Sequence, residues 1–459
     1  MADASPPPSR FDRSLVDGPI LPAVWKLAWP TMLQNLFAGL QGVVDHVMVG
    51  NMVGYTANAA IGVSWQLLLV VVVFMASLFT GQAVLVARFA GAGDSDKVNR
   101  VVYQAFITAM AMFLFVMAPL GYVSAPWLLT LINAAPEVQA EALPFLRIMF
   151  TGSIGMMLFF MLSAALRAAG DAQTPMRLGV TMTVLNLVFN LVLIPPFGTV
   201  GAAIGTVSAS GLVAAFALWH LFSGKSVIHL TRSMRLKPDF AIIRSLFRFG
   251  LPTGVQGIAM NLGGVMLLRF IGSLEQSAAA QAAYAIAYSE LFSMITWTSV
   301  GLMGASATIA GQNLGAGKPD RAVQGVWVAA RIGLAVAAVV GLMFVTIPQV
   351  LLAAFGATEP AVAVIGTGLL QYLAVSGFFV TVALTFTGGL QGTGDTKSPL
   401  YITLVSQVAI PIGLCSVLQA MRPLVPSDIW TAILLGHITR GTLSALRFYQ
   451  GKWRSIVVE

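Results

Sequence analysis

Charge is what this sequence most lacks. Asp, Glu, Lys and Arg make up 9% of its 459 residues, against roughly 25% in a soluble globular chain. So few charges cannot cover a water-facing surface, and most of this surface must face lipid. Cysteine is nearly absent as well. Cys415 stands alone in an apolar run, which excludes an internal disulfide and any multi-cysteine metal site. There is no Walker motif, no HExxH, no GxSxG with suitable partners, and no cluster of His or acids. These absences argue against a built-in ATPase and a membrane-embedded enzyme. Gly389-x-x-Gly392-x-Gly394 lacks the strand–turn–helix setting of a nucleotide loop. The segment Met1–Pro22 is polar and proline-rich, without the apolar core and small-residue cleavage site of a leader. The first apolar span is therefore expected to remain as a helix.

What is present is apolar sequence in helix-length runs. Hydrophobic residues make up 57% of the chain. The stretch from Ala57 to Ala87 holds no charge, and uncharged stretches of about 20 residues, the length a bilayer core demands, recur throughout. They do not alternate as barrel strands would. The runs predict an all-α integral membrane protein with about twelve transmembrane helices, at 24–49, 57–88, 101–122, 143–166, 177–196, 200–222, 249–272, 281–311, 325–349, 363–390, 399–420 and 428–448. The net charge is +8, but the basic residues sit in short loops. They therefore read as topology signals rather than a nucleic-acid surface. Arg10, Arg13 and Lys26 precede the first span. Arg88, Lys97, Arg100, Arg167, Arg177, Lys318, Arg321, Lys397, Lys452 and Arg454 follow even-numbered spans. Lys225, Arg232, Arg235, Lys237, Arg244 and Arg248 fill the loop after the sixth. Arg147, Arg269 and Arg422 fall toward the other side. This asymmetry predicts that both termini are cytoplasmic, in the cell inner (plasma) membrane.

The halves repeat. Trp29-Pro30-Thr31 with Gln34 matches Leu251-Pro252-Thr253 with Gln256, an offset of 222. Gly91-Ala92-Gly93 with Asp96-Lys97 matches Gly315-Ala316-Gly317 with Asp320-Arg321, and Gly170-Asp171-x-x-Thr174-Pro175 matches Gly394-Asp395-x-x-Ser398-Pro399, each at 224. Three matches in order at nearly one offset are a specific signal. Each half has an even number of spans, so the two six-helix lobes are parallel repeats related by a pseudo-twofold along the membrane normal, an arrangement common among secondary transporters. The expected domains are a tail 1–22, a lobe 23–223, a linker 224–248, a lobe 249–449 and a tail 450–459. The linker is polar and long enough to let two bundles rock. The paired Gly-Asp loops also read simply as helix ends and caps, with Arg167 and Asp171 placed to pair across the turn.

Several features together resemble the multidrug and toxic compound extrusion (MATE) family, of the NorM/DinF-like kind. They are the proline-rich entry to the first span, Val44-Asp45 followed by Val49-Gly50, Gly311-Gln312-Asn313-Leu314-Gly315-Ala316-Gly317, and both Gly-Asp-x-x-[Thr/Ser]-Pro loops. The resemblance spans about residues 20–450. It implies cation-coupled antiport by alternating access, in which mostly cationic drugs leave the cell as protons or sodium ions enter. It also implies a V-shaped pair of lobes, acting here as a monomer on small molecules among membrane lipids, with no cofactor beyond the coupling ion. A lipid-linked oligosaccharide flippase of the same superfamily is the alternative. It would call for a strongly basic cavity and extra helices, and the basic residues here lie in loops.

Ionisable groups inside a span are functional candidates by default. Asp45 lies about 28 Å along the first span from Lys26, in its outer half, where an interfacial acid reaching water is the plainer reading. Asn186 and Asn190, four apart, share one face of the fifth span. By resemblance they join the first-helix acid in cation coupling, Asn190 standing where some members have Asp. Asp45 with these amides can coordinate a sodium ion or hydrogen-bond a protonated acid. Alternatively the amides tie helices together. Thr206 and Ser208 are weaker members of this set. For a substrate cleft the candidates are Glu290 beside Tyr284 and Tyr288, where an anion with aromatics suits an organic cation, and Gln34, Gln41, Gln256 and Asn261. Each also reads as a satisfied polar group or helix–helix glue. His46 points to a different face from Asp45. No acid lies between Pro252 and Gly272 or between Gly366 and Leu390, which departs from the family pattern and confines the expected coupling to the first lobe. Asp45 aligns near Leu267, and Glu290 near Leu67, so the halves share a scaffold but not their acids.

Overall fold

The computed structural model describes residues 11–132, 135–224, 226–230, 237–356 and 359–457. Among these residues there is no strand, and helix follows helix. They are α1 (Ser14–Asp17), α2 (Ile20–Met52), α3 (Tyr55–Gly91), α4 (Ser95–Leu131), α5 (Pro136–Gly152), α6 (Ile154–Ala168) and α7 (Gln173–Phe222). The second half adds α8 (Phe240–Gly272), α9 (Ser277–Tyr284), α10 (Ser293–Gly315), α11 (Pro319–Thr346), α12 (Pro348–Ala354), α13 (Pro360–Thr393), α14 (Lys397–Met421) and α15 (Pro426–Tyr449). Six of these are long and apolar enough to cross a membrane, or seven when α5 and α6, bent by 49°, count as one span. Each of the twelve spans expected from sequence falls on helix, the ninth running past the end of α11 at Ile347.

The loop motifs are capping devices. Asp171 accepts the backbone N–H of Thr174 at 3.0 Å and its hydroxyl at 2.6 Å. Asp395 does the same for Ser398 at 3.2 and 2.8 Å. The preceding glycines hold φ of 102° at Gly170 and 99° at Gly394, a left-handed conformation that a side chain would strain. Arg447 bonds Asp395 at 2.9 Å, while Arg167 donates to Gln34 at 3.1 Å.

One boundary differs from expectation. Pro195-Pro196 does not end the fifth span. The helix continues through both prolines and breaks at Gly198, with φ 57° and ψ −133°. Neighbouring helices can re-satisfy the carbonyls a proline frees in a membrane helix, whereas that φ/ψ pair is open only to glycine.

The described chain forms two compact units. One holds Leu33–Gly254 and the other Ser14–Met32 with Val255–Val457. They differ from the lobes drawn from sequence because helix ends are exchanged. The start of α2 packs in the second unit, where a Cβ on Gly301 would fall 2.7 Å from Met32. The start of α8 packs in the first, where a Cβ on Gly254 would fall 2.8 Å from Ser77. Ser77 and Gly301 are repeat equivalents, as are Met32 and Gly254, so the exchange obeys the repeat. Lipid gives no hydrophobic drive between helices, so close approach at small residues must hold them. Gly155 lies against the backbone of Gly211 in the same way.

The described end of the linker is tied to the first unit. Gln104 of α4 donates to the Lys237 carbonyl at 2.9 Å and accepts from the Asp239 N–H at 3.0 Å, and Arg100 pairs with Asp239 at 2.5 Å. Residues 240–248 are already helix. Arg10, Lys225, Arg232 and Arg235 lie outside the described residues. In the second unit α1 is anchored near the Gly315-Ala316-Gly317 turn through Asn313 to the Leu15 carbonyl, at 3.2 Å, and Lys318 to Asp17, at 2.5 Å.

The first unit packs around Phe145, Leu146, Met149 and Ile61. The second packs around Ile271, Leu291, Leu369, Leu373 and Trp430, with a further cluster at Phe386, Phe448 and Trp453. Large apolar side chains also lie open on the surface, with Phe115 at 79% and Val123 at 75% exposure, as a lipid-facing exterior requires.

Candidate functional site

In the first unit, α2 and the two limbs of α7 bring four polar residues into one chain of hydrogen bonds. Asn190 Nδ2 donates to Asp45 Oδ1 at 2.8 Å and is shared with Asn186 Oδ1 at 3.2 Å. Asn186 Nδ2 donates to Thr206 Oγ1 at 3.0 Å, and Thr206 returns its proton to the Ala202 carbonyl at 3.0 Å. The four-residue spacing sets both asparagines on one face. The break at Gly198 folds the Thr206 limb back beside them. Gly205 makes room, since a methyl there would overlap Asn190 Oδ1. That oxygen is buried and accepts no hydrogen bond.

Asp45 is 8% exposed and Asn186 and Asn190 1% each, so Asp45 is no carboxylate dangling into water. Asp45 and Asp395 are the buried carboxylates among the described residues. Asp395 is capped and paired with Arg447. Asp45 has an amide donor and no Lys or Arg partner. His46 turns away and meets Asn58 at 2.6 Å. Ser208 makes no hydrogen bond in this chain. No group of three or more His, Cys, Asp or Glu among the described residues can hold a metal. Asp45, Asn186 and Asn190, the oxygens expected for a monovalent cation, come together here, with Asn186 Oδ1 accepting from Asn190 and the Asn190 oxygen turned to Gly205.

Gln34 is buried and bound by Arg167, and Gln41 accepts from Thr183 at 3.0 Å. Gln256 is buried, donating to Thr403 at 2.9 Å and accepting from Gln391 at 3.3 Å. These are ties between helices of one unit. They also follow the repeat, since Gln34, Arg167 and Gly179 are the equivalents of Gln256, Gln391 and Thr403. Asn261 bonds its own helix at the Gly257 carbonyl. Glu290 is exposed on a π-helical turn, Ala285–Leu291, that also carries Tyr288. Tyr284 and Tyr288 stack at 4.8 Å and turn toward α15, where Trp430 lies 6.2 Å from Tyr284 and His437 6.4 Å from Tyr288. His437 and Arg440 are buried on α15, and sequence reasoning passed over both. The signal was there: a His and an Arg three apart inside an apolar span.

The MatE family model matches residues 30–192 and again 252–417, once in each half, with starts 222 residues apart like the first pair of motifs. The chain belongs to the MatE family, a family of multi-pass membrane transporters. Among its relatives, "Probable multidrug resistance protein NorM" of Thermotoga maritima is 26% identical, over 94% of this chain and 93% of that protein. "Multidrug resistance protein PmpM" of Pseudomonas aeruginosa is 27% identical over 94% and 91%. A solved structure described as the outward-facing conformation of a multidrug resistance MATE family transporter superposes with a TM-score of 0.89 at 19% identity, covering 96% of this chain and 98% of that one. A transporter of the MOP superfamily from Pyrococcus furiosus superposes at 0.90, also at 19% identity.

Proposed function

We propose that the chain is a secondary active multidrug efflux antiporter of the cell inner membrane, with both termini cytoplasmic. It exports mostly cationic amphiphilic compounds in exchange for protons or sodium ions by alternating access. One observation carries this reading: Asp45 is a buried carboxylate that, among the described residues, is held by an amide donor and forms no ion pair with Lys or Arg. A buried charge needs a counter-charge or a proton, and among the described residues no Lys or Arg supplies the first. The group is therefore poised to load and unload a cation as its surroundings change. The similarity to named multidrug resistance proteins supports the choice of cargo.

Between the two coupling ions the hydrogen-bond directions speak against sodium at this carboxylate. Asn190 presents its N–H to Asp45, and its oxygen lies against Gly205. A sodium ion at the carboxylate would call for that amide to reverse. The test is flux of a cationic dye in proteoliposomes with proton and sodium gradients imposed separately. Dye exchange driven by a proton gradient at zero sodium is expected. Exchange that runs only with sodium would replace the proton by sodium, and exchange indifferent to both would end the antiport reading.

A further inference from the structure

The second unit holds the converse of Asp45. Arg440 lies in the interior of α15, 4% exposed, and among the described residues no carboxylate and no hydrogen-bond acceptor meets it. Its Nε is sealed without a partner, as is Nδ1 of His437 one turn before it. Arg447, two turns further on, is fully engaged by Asp395 and Ser398. The lone state of Arg440 is therefore particular to its place. Tyr288 and His437 stand close enough to it to interact electrostatically. Around them runs a stack of flat rings. Trp430, Tyr284, Tyr288, His437 and Phe292 follow one another at centroid separations of 6.2, 4.8, 6.4 and 5.9 Å, with interplanar angles of 20° or less.

A buried guanidinium with no anion beside it is strongly disfavoured unless a partner arrives. The fork of a guanidinium matches a carboxylate with two parallel hydrogen bonds. Arg440 is the one permanent cation of the group, which suits a monoanion. The ring stack offers flat apolar walls. Arg440 is nine residues, about 14 Å, short of the end of α15 at Tyr449, and buried by protein, which separates it from lipid headgroups. We propose that Arg440, His437 and the stacked tyrosines form a recognition site inside the second unit for an aromatic carboxylate. The guanidinium takes the carboxylate and the rings take the aromatic body. This goes beyond the antiporter reading, because it assigns a separate anion-recognising site to the second unit, whereas that reading rests on Asp45 in the first.

Binding is measured by isothermal titration calorimetry on the purified full-length protein in detergent, with no gradient, so its outcome is independent of ion coupling. The probes are 2-naphthoate and its neutral counterpart 2-naphthamide. The wild type is expected to bind the carboxylate at least tenfold more tightly. Arg440→Gln should bring the two probes within twofold of each other. It should unfold no earlier than the wild type, since it removes an uncompensated buried charge. Tyr288→Leu should weaken both probes together while keeping the preference, and it decides the site should Arg440→Gln fail to fold. Equal binding of the two probes to the wild type overturns the proposal. So does an unchanged preference in Arg440→Gln, or unchanged affinity for both probes in Tyr288→Leu.

Discussion

Gly205→Ala is a one-methyl perturbation aimed at the Asp45 network without touching any of its members. The added Cβ would overlap Asn190 Oδ1, and the amide must swing away. Overpacking of this kind costs about 1–3 kcal/mol. Losing the hydrogen bond to Asp45 adds about 1.5–3 kcal/mol for a charged acceptor. Better helix propensity returns up to about 1 kcal/mol. The net expectation is a loss of about 2–5 kcal/mol, or at least about 4 °C in melting temperature for a unit of this size. Gly211 is the control. It lies on the same limb of α7, and a Cβ there meets nothing within 4 Å. Gly211→Ala should melt at or slightly above the wild type. Scanning fluorimetry in detergent reads both. The Asn190→Ala background isolates the cause: with the amide gone, Gly205→Ala should lose most of its effect. An equal loss in both backgrounds would refute the steric argument.

Other substitutions follow from the same contacts. Arg447→Met leaves the buried Asp395 without its cation and should cost about 1–3 kcal/mol, read as a lower melting temperature. Arg422→Gln breaks an exposed pair with Asp428 and should cost less than about 1 kcal/mol. Asp428→Ala also removes the acceptor of the Val425 N–H at 3.0 Å, so it should cost more than Arg422→Gln in the same assay. Cys415, fully buried, should react slowly with a maleimide in the folded protein and yield one equivalent on denaturation. Fast labelling of the native chain would contradict its placement.

The spans were legible because each is a long run without charge, and the repeat because Gly, Asp and Pro mark the same turns twice. The exchange of helix ends was not legible. It depends on contacts such as Gly254 with Ser77, between residues far apart in sequence, and small residues in an apolar helix give no sign of which neighbour they meet. The Asp45 hydrogen-bond network was half legible. Two asparagines four apart announce a common face, and the resemblance joined them to Asp45. That Asn190 turns its N–H to the acid follows from a carboxylate being an acceptor, and the room for its oxygen comes from Gly205, which no periodicity reveals. The glutamines left two readings open, because a buried amide bonded across helices and one open to a ligand look alike in sequence. Glu290 sits in a π-helical turn, Ala285–Leu291, which the residue pattern does not announce. Arg440 and His437 were hidden by attention to acids and loops.

The buried, unpaired carboxylate of Asp45 is decisive for the account. Wild type and Asp45→Asn are compared in the same proteoliposomes, for ethidium exchange driven by an imposed proton gradient, after melting curves show that both are folded. The amide is nearly isosteric but cannot carry and release a cation. The account predicts that driven exchange falls to the level of empty liposomes while ethidium binding persists. Driven exchange by Asp45→Asn at the wild-type rate would contradict it.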